Sequence, residues 1–201
     1  MIKERINGLI LAAGLSSRMG DFKPLLPLHN KTVIGHTIDH MLLGGAETIV
    51  VVTGYRRREL DAYLRDHYPE QVILVENVAY ASTDMMESVR MGCRDMPACD
   101  AFFLMPADMP MVSPETFRTL IFHRSATGGD VVFPTLDGYR KHPPLIDYAM
   151  IPEILAFSGD GGLRRLWKQM DGRIVTVPVE DEGVWIDMDT KQDYYTIVKG
   201  M

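Results

Sequence analysis

Four short, mostly apolar runs, each followed by a segment with helical hydrophobic spacing, constrain the fold more than any other feature. The runs are residues 6–11, 48–52, 72–75 and 101–105, and the chain after them turns at Gly14, Gly54, Asn77 and Asp108. Runs of this length bounded by turn residues read as strands buried on both faces. The segments between them have helical period. In residues 33–43, Val33, Ile34, Thr37, Ile38 and Met41 share one face, and Gly44-Gly45 ends the helix. In residues 57–67, Leu60 and Leu64 face inward, and in residues 85–94 Met86, Val89 and Cys93 do so. Residues 116–123 follow Ser113-Pro114-Glu115, a helix start with proline in the first turn.

Strand–helix alternation of this kind predicts an α/β fold: three layers, with a mostly parallel sheet covered by helices on both faces. Beyond Gly128 the pattern loosens. Residues 131–133, 145–146, 174–177 and 184–186 read as short strands, and residues 151–156, 163–170 and 190–198 as helices. No repeat, linker or low-complexity tract interrupts residues 1–201, so a single domain is expected. In open sheets of this class ligands bind beyond the carboxyl ends of the strands. Gly14, Gly54, Asn77 and Asp108 should therefore converge on one edge.

The turn after the first run carries the strongest chemical signal. Residues 11–24 read Leu-Ala-Ala-Gly-Leu-Ser-Ser-Arg-Met-Gly-Asp-Phe-Lys-Pro. Glycine lets backbone N–H groups approach an anion, because no Cβ blocks the way. Ser16, Ser17, Arg18 and Lys23 add hydroxyls and positive charge, and together they suggest a triphosphate cradle. The spacing matches neither common phosphate loop. Gly20 is followed by Asp21 rather than the lysine of a Walker A motif, and Ser16 stands where a dinucleotide fingerprint needs its second glycine. The alternative is an ordinary surface turn.

Two acidic motifs are candidates for a metal site. Asp108 follows an apolar strand, where one carboxylate plus water and phosphate would suit Mg2+, although a turn aspartate between prolines would look the same. Asp187 and Asp189 alternate in Trp-Ile-Asp-Met-Asp-Thr, so on a strand they would point together. Asp189 and Thr190 also suit the cap of the last helix, with Asp193 in the capping-box position. Capping is the expected role for those two. Arg56-Arg57-Arg58 reads as a solvated face. Cys93 and Cys99 read as packing residues, not nucleophiles.

Leu-Ala-Ala-Gly-x-Ser-x-Arg-Met-Gly-x-x-Lys at 11–23 resembles the signature of the MobA-like nucleotidyltransferases, and within them the molybdenum-cofactor cytidylyltransferases. The resemblance runs through nearly the whole chain. It implies a Rossmann-like fold of the nucleotide-diphospho-sugar transferase type, with residues 1–125 as the nucleotide-binding half and 126–201 as the acceptor-binding half. It implies that Leu11, Ala12, Ala13, Gly14, Ser16, Ser17, Arg18 and Lys23 hold the nucleotide, with Arg18, Lys23 and Asp108 catalytic. Ala-Asp-x-Pro at 107–110 and Asp-x-Asp-Thr at 187–190 look like the family's two metal elements, assigning Asp108 and Asp187 to Mg2+. Asn77 and the Ser88-Val89-x-x-Gly92 segment look like its base-and-ribose element. Thr83 or Asp84 stands where glycine is usual, and Glu87 where a second serine is. His142-Pro143 in the Gly-His-Pro-x-Leu-like stretch, and Gly161, look like its acceptor side, although a structural histidine with prolines stiffening a turn, and for Gly161 a helix start after a glycine turn, would read the same. Lys141 stands where glycine is common.

The reaction implied joins the NMP part of a nucleoside triphosphate to a phosphorylated acceptor, with release of pyrophosphate. Ala-Ala-Gly at 12–14 favours CTP over GTP, and the acceptor implied is molybdopterin. A sugar- or polyol-phosphate transferase, a guanylyltransferase, and a module that binds without turnover stay open. A formal charge of −6 argues against a nonspecific nucleic-acid partner. No segment approaches the roughly 18 apolar residues of a membrane span. Two cysteines without a metal pattern fit a reducing compartment, so the expected setting is cytoplasmic, as a monomer or small homo-oligomer.

Overall fold

The computed structural model describes residues 3–15 and 19–200. The first half is β1 (Ile6–Ala12), β2 (Pro27–Leu28), β3 (Lys31–Thr32), α1 (Val33–Leu43), β4 (Ala46–Thr53), α2 (Arg57–His67), β5 (Val72–Glu76), α3 (Met85–Arg94), β6 (Ala101–Pro106) and α4 (Pro114–Thr127). The second half is β7 (Val131–Leu136), β8 (Tyr139–Arg140), β9 (Leu145–Asp147), α5 (Ile151–Ala156), α6 (Gly162–Gln169), β10 (Ile174–Pro178) and α7 (Lys191–Gly200).

The main sheet has the order β10-β7-β9-β6-β1-β4-β5, with β8 paired to β7. β4, β5 and β6 run parallel to β1, and β10 runs parallel to β7. β9 lies antiparallel between β6 and β7, and β8 is also antiparallel. The expected mostly parallel α/β sheet is present, and strands from both halves of the chain belong to it. After β5 the chain returns to the other side of β1, so the strand order reverses between β1 and β6. That reversal opens a crevice at the carboxyl ends of these two strands.

Alternation along the strands divides the core between the two faces. Ile10, Ile49, Val51 and Phe103 pack with Ile38, Met41, Leu60, Leu64, Phe117 and Leu120 from α1, α2 and α4. Leu9, Val50, Val52, Phe102 and Leu104 pack with Met86, Val89, Ile154 and Leu166 from α3, α5 and α6. Burying one such large apolar side chain contributes about 1.5–3 kcal/mol. Gly92 sits at the α3–β1 contact, where a Cβ would stand 2.2 Å from Leu9 Cδ1. Its smallness serves close helix–sheet packing.

The helices start where their caps require. Thr32 accepts from Gly35 N (3.1 Å), Asp84 from Glu87 N (3.0 Å) and Ser113 from Thr116 N (3.4 Å). Arg56 and Arg58 are exposed, and Arg56 and Arg57 pair with Glu59 and Asp61 on their own helix. Burial pushes the Cys93 thiol up to about 12 and the Cys99 thiol to about 11, so neither is a poised nucleophile at neutral pH.

β2, β3 and β8 were not expected, and one expected strand is not formed. Residues 184–186 form no strand. Glu182–Val184 is a single 3-10 turn, and the chain to Asp189 is irregular. The Asp181 carboxylate causes this. It accepts from Gly183 N (2.9 Å) to set the turn, and from Ser113 N (2.8 Å) and Thr116 Oγ1 (2.6 Å) to dock it on α4.

Candidate active site

A cavity of about 700 Å3 opens at the carboxyl ends of β1 and β6, within the size range of small-molecule sites. β1 delivers Leu11, Ala12, Ala13 and Gly14, and β6 delivers Pro106, Ala107, Asp108 and Met109. Among the described residues, its chain neighbours aside, no atom lies within 4 Å of where a Cβ would stand on Gly14, so none of them fills that edge of the cavity. Lys23 and Pro24 come from a 3-10 turn, Lys23–Leu25, with proline in its first positions. Ser16, Ser17 and Arg18 lie outside the described residues.

Lys23 joins the two acidic motifs. Its side chain is 9% exposed, and Nζ stands 3.0 Å from Asp108 Oδ2 and 2.8 Å from Asp189 Oδ1. Burial alone would lower its pKa, but the hydrogen bonds and charges of Asp189 and Asp108 outweigh that and hold it above the usual lysine value. Met188 N donates to Asp108 O (3.0 Å), a second tie between the irregular segment and the end of β6. Asp187 lines the same cavity. Desolvation, followed by the neighbouring charges of Asp189 and Asp108, pushes its carboxyl above the usual aspartate range.

One expected role changes here. Asp189 is not the helix cap but a partner of Lys23. Thr190 takes the cap with Asp193: Asp193 N donates to Thr190 Oγ1 (3.2 Å), and Asp193 Oδ2 accepts from Thr190 N (2.6 Å). Asp187 and Asp189 reach one cavity, but not by strand alternation. The docking of residues 181–189 against α4 and the β6 end brings them there.

The α3 side of the cavity is built by Tyr80, Thr83, Asp84, Met85 and Ser88. Asn77 is not among the lining residues. It is 1% exposed and acts behind the wall, donating from Nδ2 to Thr83 Oγ1 and Ser88 Oγ (both 3.1 Å) while Oδ1 accepts from Ala79 N (3.0 Å). The remaining wall comes from Arg140, Lys141, His142, Val184 and Trp185. Burial lowers the His142 pKa, and its Nδ1 lies 3.4 Å from Leu104 O, so it faces the cavity as a neutral imidazole at neutral pH. Pro143 is buried outside the lining. Gly161 is also outside it, turning into α6 with φ +93°. A left-handed turn accounts for that glycine without an acceptor contact.

Sequence reading missed Tyr80 and Trp185. Trp185 had a signal, since it stands two residues before Asp187. Among the described residues no group of three or more His, Cys, Asp or Glu side chains encloses a metal by itself. The donor set of Asp108 and Asp187 nonetheless fits a hard divalent cation, which takes one or two carboxylates and completes its shell with water and phosphate oxygens. The crowding of Asp187 by two other carboxylates is the electrostatic condition such a cation would relieve.

Residues 8–174 match the family model described as MobA-like NTP transferase domain. The chain is 29% identical over 195 residues to the molybdenum cofactor cytidylyltransferase of Escherichia coli strain K12, covering 95% of this chain and 94% of the relative. It is 28% identical over 200 residues to the nicotine blue oxidoreductase of Paenarthrobacter nicotinovorans, covering 96% of each. Among solved structures, a nucleotidyl transferase from Methanothermobacter thermautotroptrophicus superposes with TM-score 0.83 at 27% identity, covering 98% of both chains. Rv0371c from Mycobacterium tuberculosis H37Rv, in complex with manganese, superposes with TM-score 0.72 at 25% identity, covering 98% of this chain and 100% of that one.

Proposed function

We propose that this chain, which belongs to the MobA-like NTP transferase family, is a cytidylyltransferase that joins CMP from CTP to the phosphate of molybdopterin. The observation that carries the reading is the Lys23 bridge between Asp108 and Asp189, in a cavity that also holds Asp187 and the Gly14 edge. Similarity along the whole chain spans relatives named for two different activities, so the choice between them rests on this site.

In the proposed reaction an oxygen of the acceptor phosphate attacks the α-phosphorus of CTP. The bond from the α-phosphorus to its bridging β-oxygen breaks, and pyrophosphate leaves with the electron pair. A phosphate monoester is largely dianionic at neutral pH, since its second pKa is about 6, so the nucleophile needs no general base. The work left to the protein is alignment and neutralisation of charge. The backbone from Leu11 to Gly14 borders the triphosphate, and the α3 side with Ser88 borders the nucleoside. Lys23 fixes the spacing of Asp108 and Asp189. Asp108 and Asp187 would hold a Mg2+ or Mn2+ ion, which when bound supplies positive charge to the phosphates.

The test is pyrophosphate release from CTP, GTP, ATP and UTP, each offered with molybdopterin and with sugar and polyol phosphates. Release is expected with CTP and molybdopterin. Release only with GTP, or only with a sugar or polyol phosphate, replaces the substrate assignment. Tight CTP binding with no release from any acceptor replaces the enzyme reading.

The cation is tested separately by thermal melting. At a divalent cation concentration of 100 times its dissociation constant, linkage gives about 2.7 kcal/mol of stabilisation. For a chain of this size that is an upward shift of about 5–10 °C. Asp187→Asn should lose most of the shift while folding normally. A full shift in the variant would remove Asp187 from the cation site.

A further inference from the structure

Two segments from different parts of the chain meet at one wall of the cavity, and nothing derived above uses their side chains. Trp185 lines the cavity yet is 60% exposed. The group over its ring is an ammonium: Lys141 Nζ stands 3.0 Å from the ring centroid. The same ammonium lies 5.8 Å from the Tyr139 ring, and Tyr139 is 67% exposed. Neighbouring Arg140 is committed to Asp171 at 2.6 Å. Among the described residues Lys141 is held by aromatic faces and not by a carboxylate.

An exposed indole in a concave wall is a stacking platform, because the face of a flat ligand can cover it without a directional partner. A cation held over that face at an exposed site is weakly bound compared with the same cation on a phosphate oxygen. The Trp185 backbone is fixed: its N–H donates to Glu182 O at 3.0 Å, in the turn that Asp181 sets. The ring is thus presented by a docked segment while its cover is a flexible lysine. Trp185 also lies beyond residue 174, where the match to the family model ends.

We infer that Trp185 and Lys141 select the acceptor: Trp185 stacks on a planar heteroaromatic ring, and Lys141 leaves the indole face to pair with the phosphate monoester that ring carries. The inference deepens the transferase reading and rests on it for the word acceptor. It makes the site discriminate by flatness, so a sugar or polyol phosphate of equal charge gains only the Lys141 contact.

Calorimetric titration of the full chain tests this with three probes: a pterin bearing a side-chain phosphate, ribitol 5-phosphate and inorganic phosphate. The planar phosphate should bind about tenfold more tightly than the other two, the worth of one stacked ring. Trp185→Ala should abolish that preference, Trp185→Phe should keep most of it, and both should bind CTP as the unaltered chain does. Lys141→Ala should weaken the planar and the saturated phosphate alike, by about tenfold. Melting temperatures equal to the parent's exclude misfolding, as expected for an exposed side chain. The inference is overturned if the parent shows no preference, if Trp185→Ala keeps it, or if Trp185→Ala loses CTP affinity. A Trp185-dependent preference without pyrophosphate release from any acceptor would sustain the platform and remove the transferase reading instead.

Discussion

Lys23→Met is expected to lower kcat by about 10²–10³ while leaving the fold in place. Methionine keeps the length and apolar body of the side chain, so what is lost is the ammonium. In its place Asp108 and Asp189, drawn together by contacts of 3.0 and 2.8 Å, would lose the ammonium that stands between them, in a cavity that also holds Asp187. Like charges at such range repel, and the two segments that carry them would separate. Asp108→Asn should cost a similar factor. Because the two residues act as one unit, the double variant should fall little below either single one. Steady-state pyrophosphate release measures all three, with circular dichroism as the control for folding. Turnover of Lys23→Met within a few-fold of the parent would show that the bridge is structural ornament and that the reaction is organised elsewhere.

Gly183→Ala is expected to produce the largest loss of stability from a single methyl group. A Cβ there would stand 2.0 Å from Met111 O, 2.4 Å from Met111 C and 2.8 Å from Asp181 Oδ1. Two of those atoms are backbone, so the strain cannot be relieved by turning a side chain. The turn would have to lift off the segment between β6 and α4. That would break the contacts of Asp181 with Ser113 N and Thr116 Oγ1, and the bond from Met188 N to Asp108 O. Overpacking with loss of these contacts should cost about 3 kcal/mol, a fall in Tm of about 6–12 °C. Activity should fall further than the unfolded fraction explains, because Asp187 and Asp189 ride on the displaced segment. A Tm within 2 °C of the parent, measured by differential scanning calorimetry as a shift smaller than about 1 kcal/mol, would mean the contact relaxes freely.

The first two-thirds of the chain was legible because its signals are local. Each buried run between turn residues has one conformation that buries both faces, and α1, α3 and α4 carry their own caps. Thr32, Asp84 and Ser113 each accept from a backbone N–H three residues on. The segment around Asp187 was legible in composition but not in conformation. Val184, Trp185 and Ile186 have strand propensity, yet the Asp181 carboxylate offers the backbone a tighter local bond and pins it to α4. Asp189 was misassigned for a related reason. Thr190 and Asp193 form the capping box by themselves, which leaves Asp189 to a partner 166 positions away that no local pattern encodes. Asn77 holds a wall from behind and Gly161 makes the turn into α6, structural uses that the residue types alone do not separate from ligand contact.

The amino-acid sequence alone determined the α/β architecture, and it singled out the turn after β1 and the carboxylates that line the cavity. These follow from periodicity, capping and composition, which act over a few residues. Only the tertiary structure decided that Lys23, Asp108, Asp187 and Asp189 share one cavity, and that Trp185 presents its face there under Lys141. Those meetings depend on the reversal of strand order at β1 and on the docking of residues 181–189. Both are set by packing free energy summed over the whole molecule, and no short stretch of chain contains that sum.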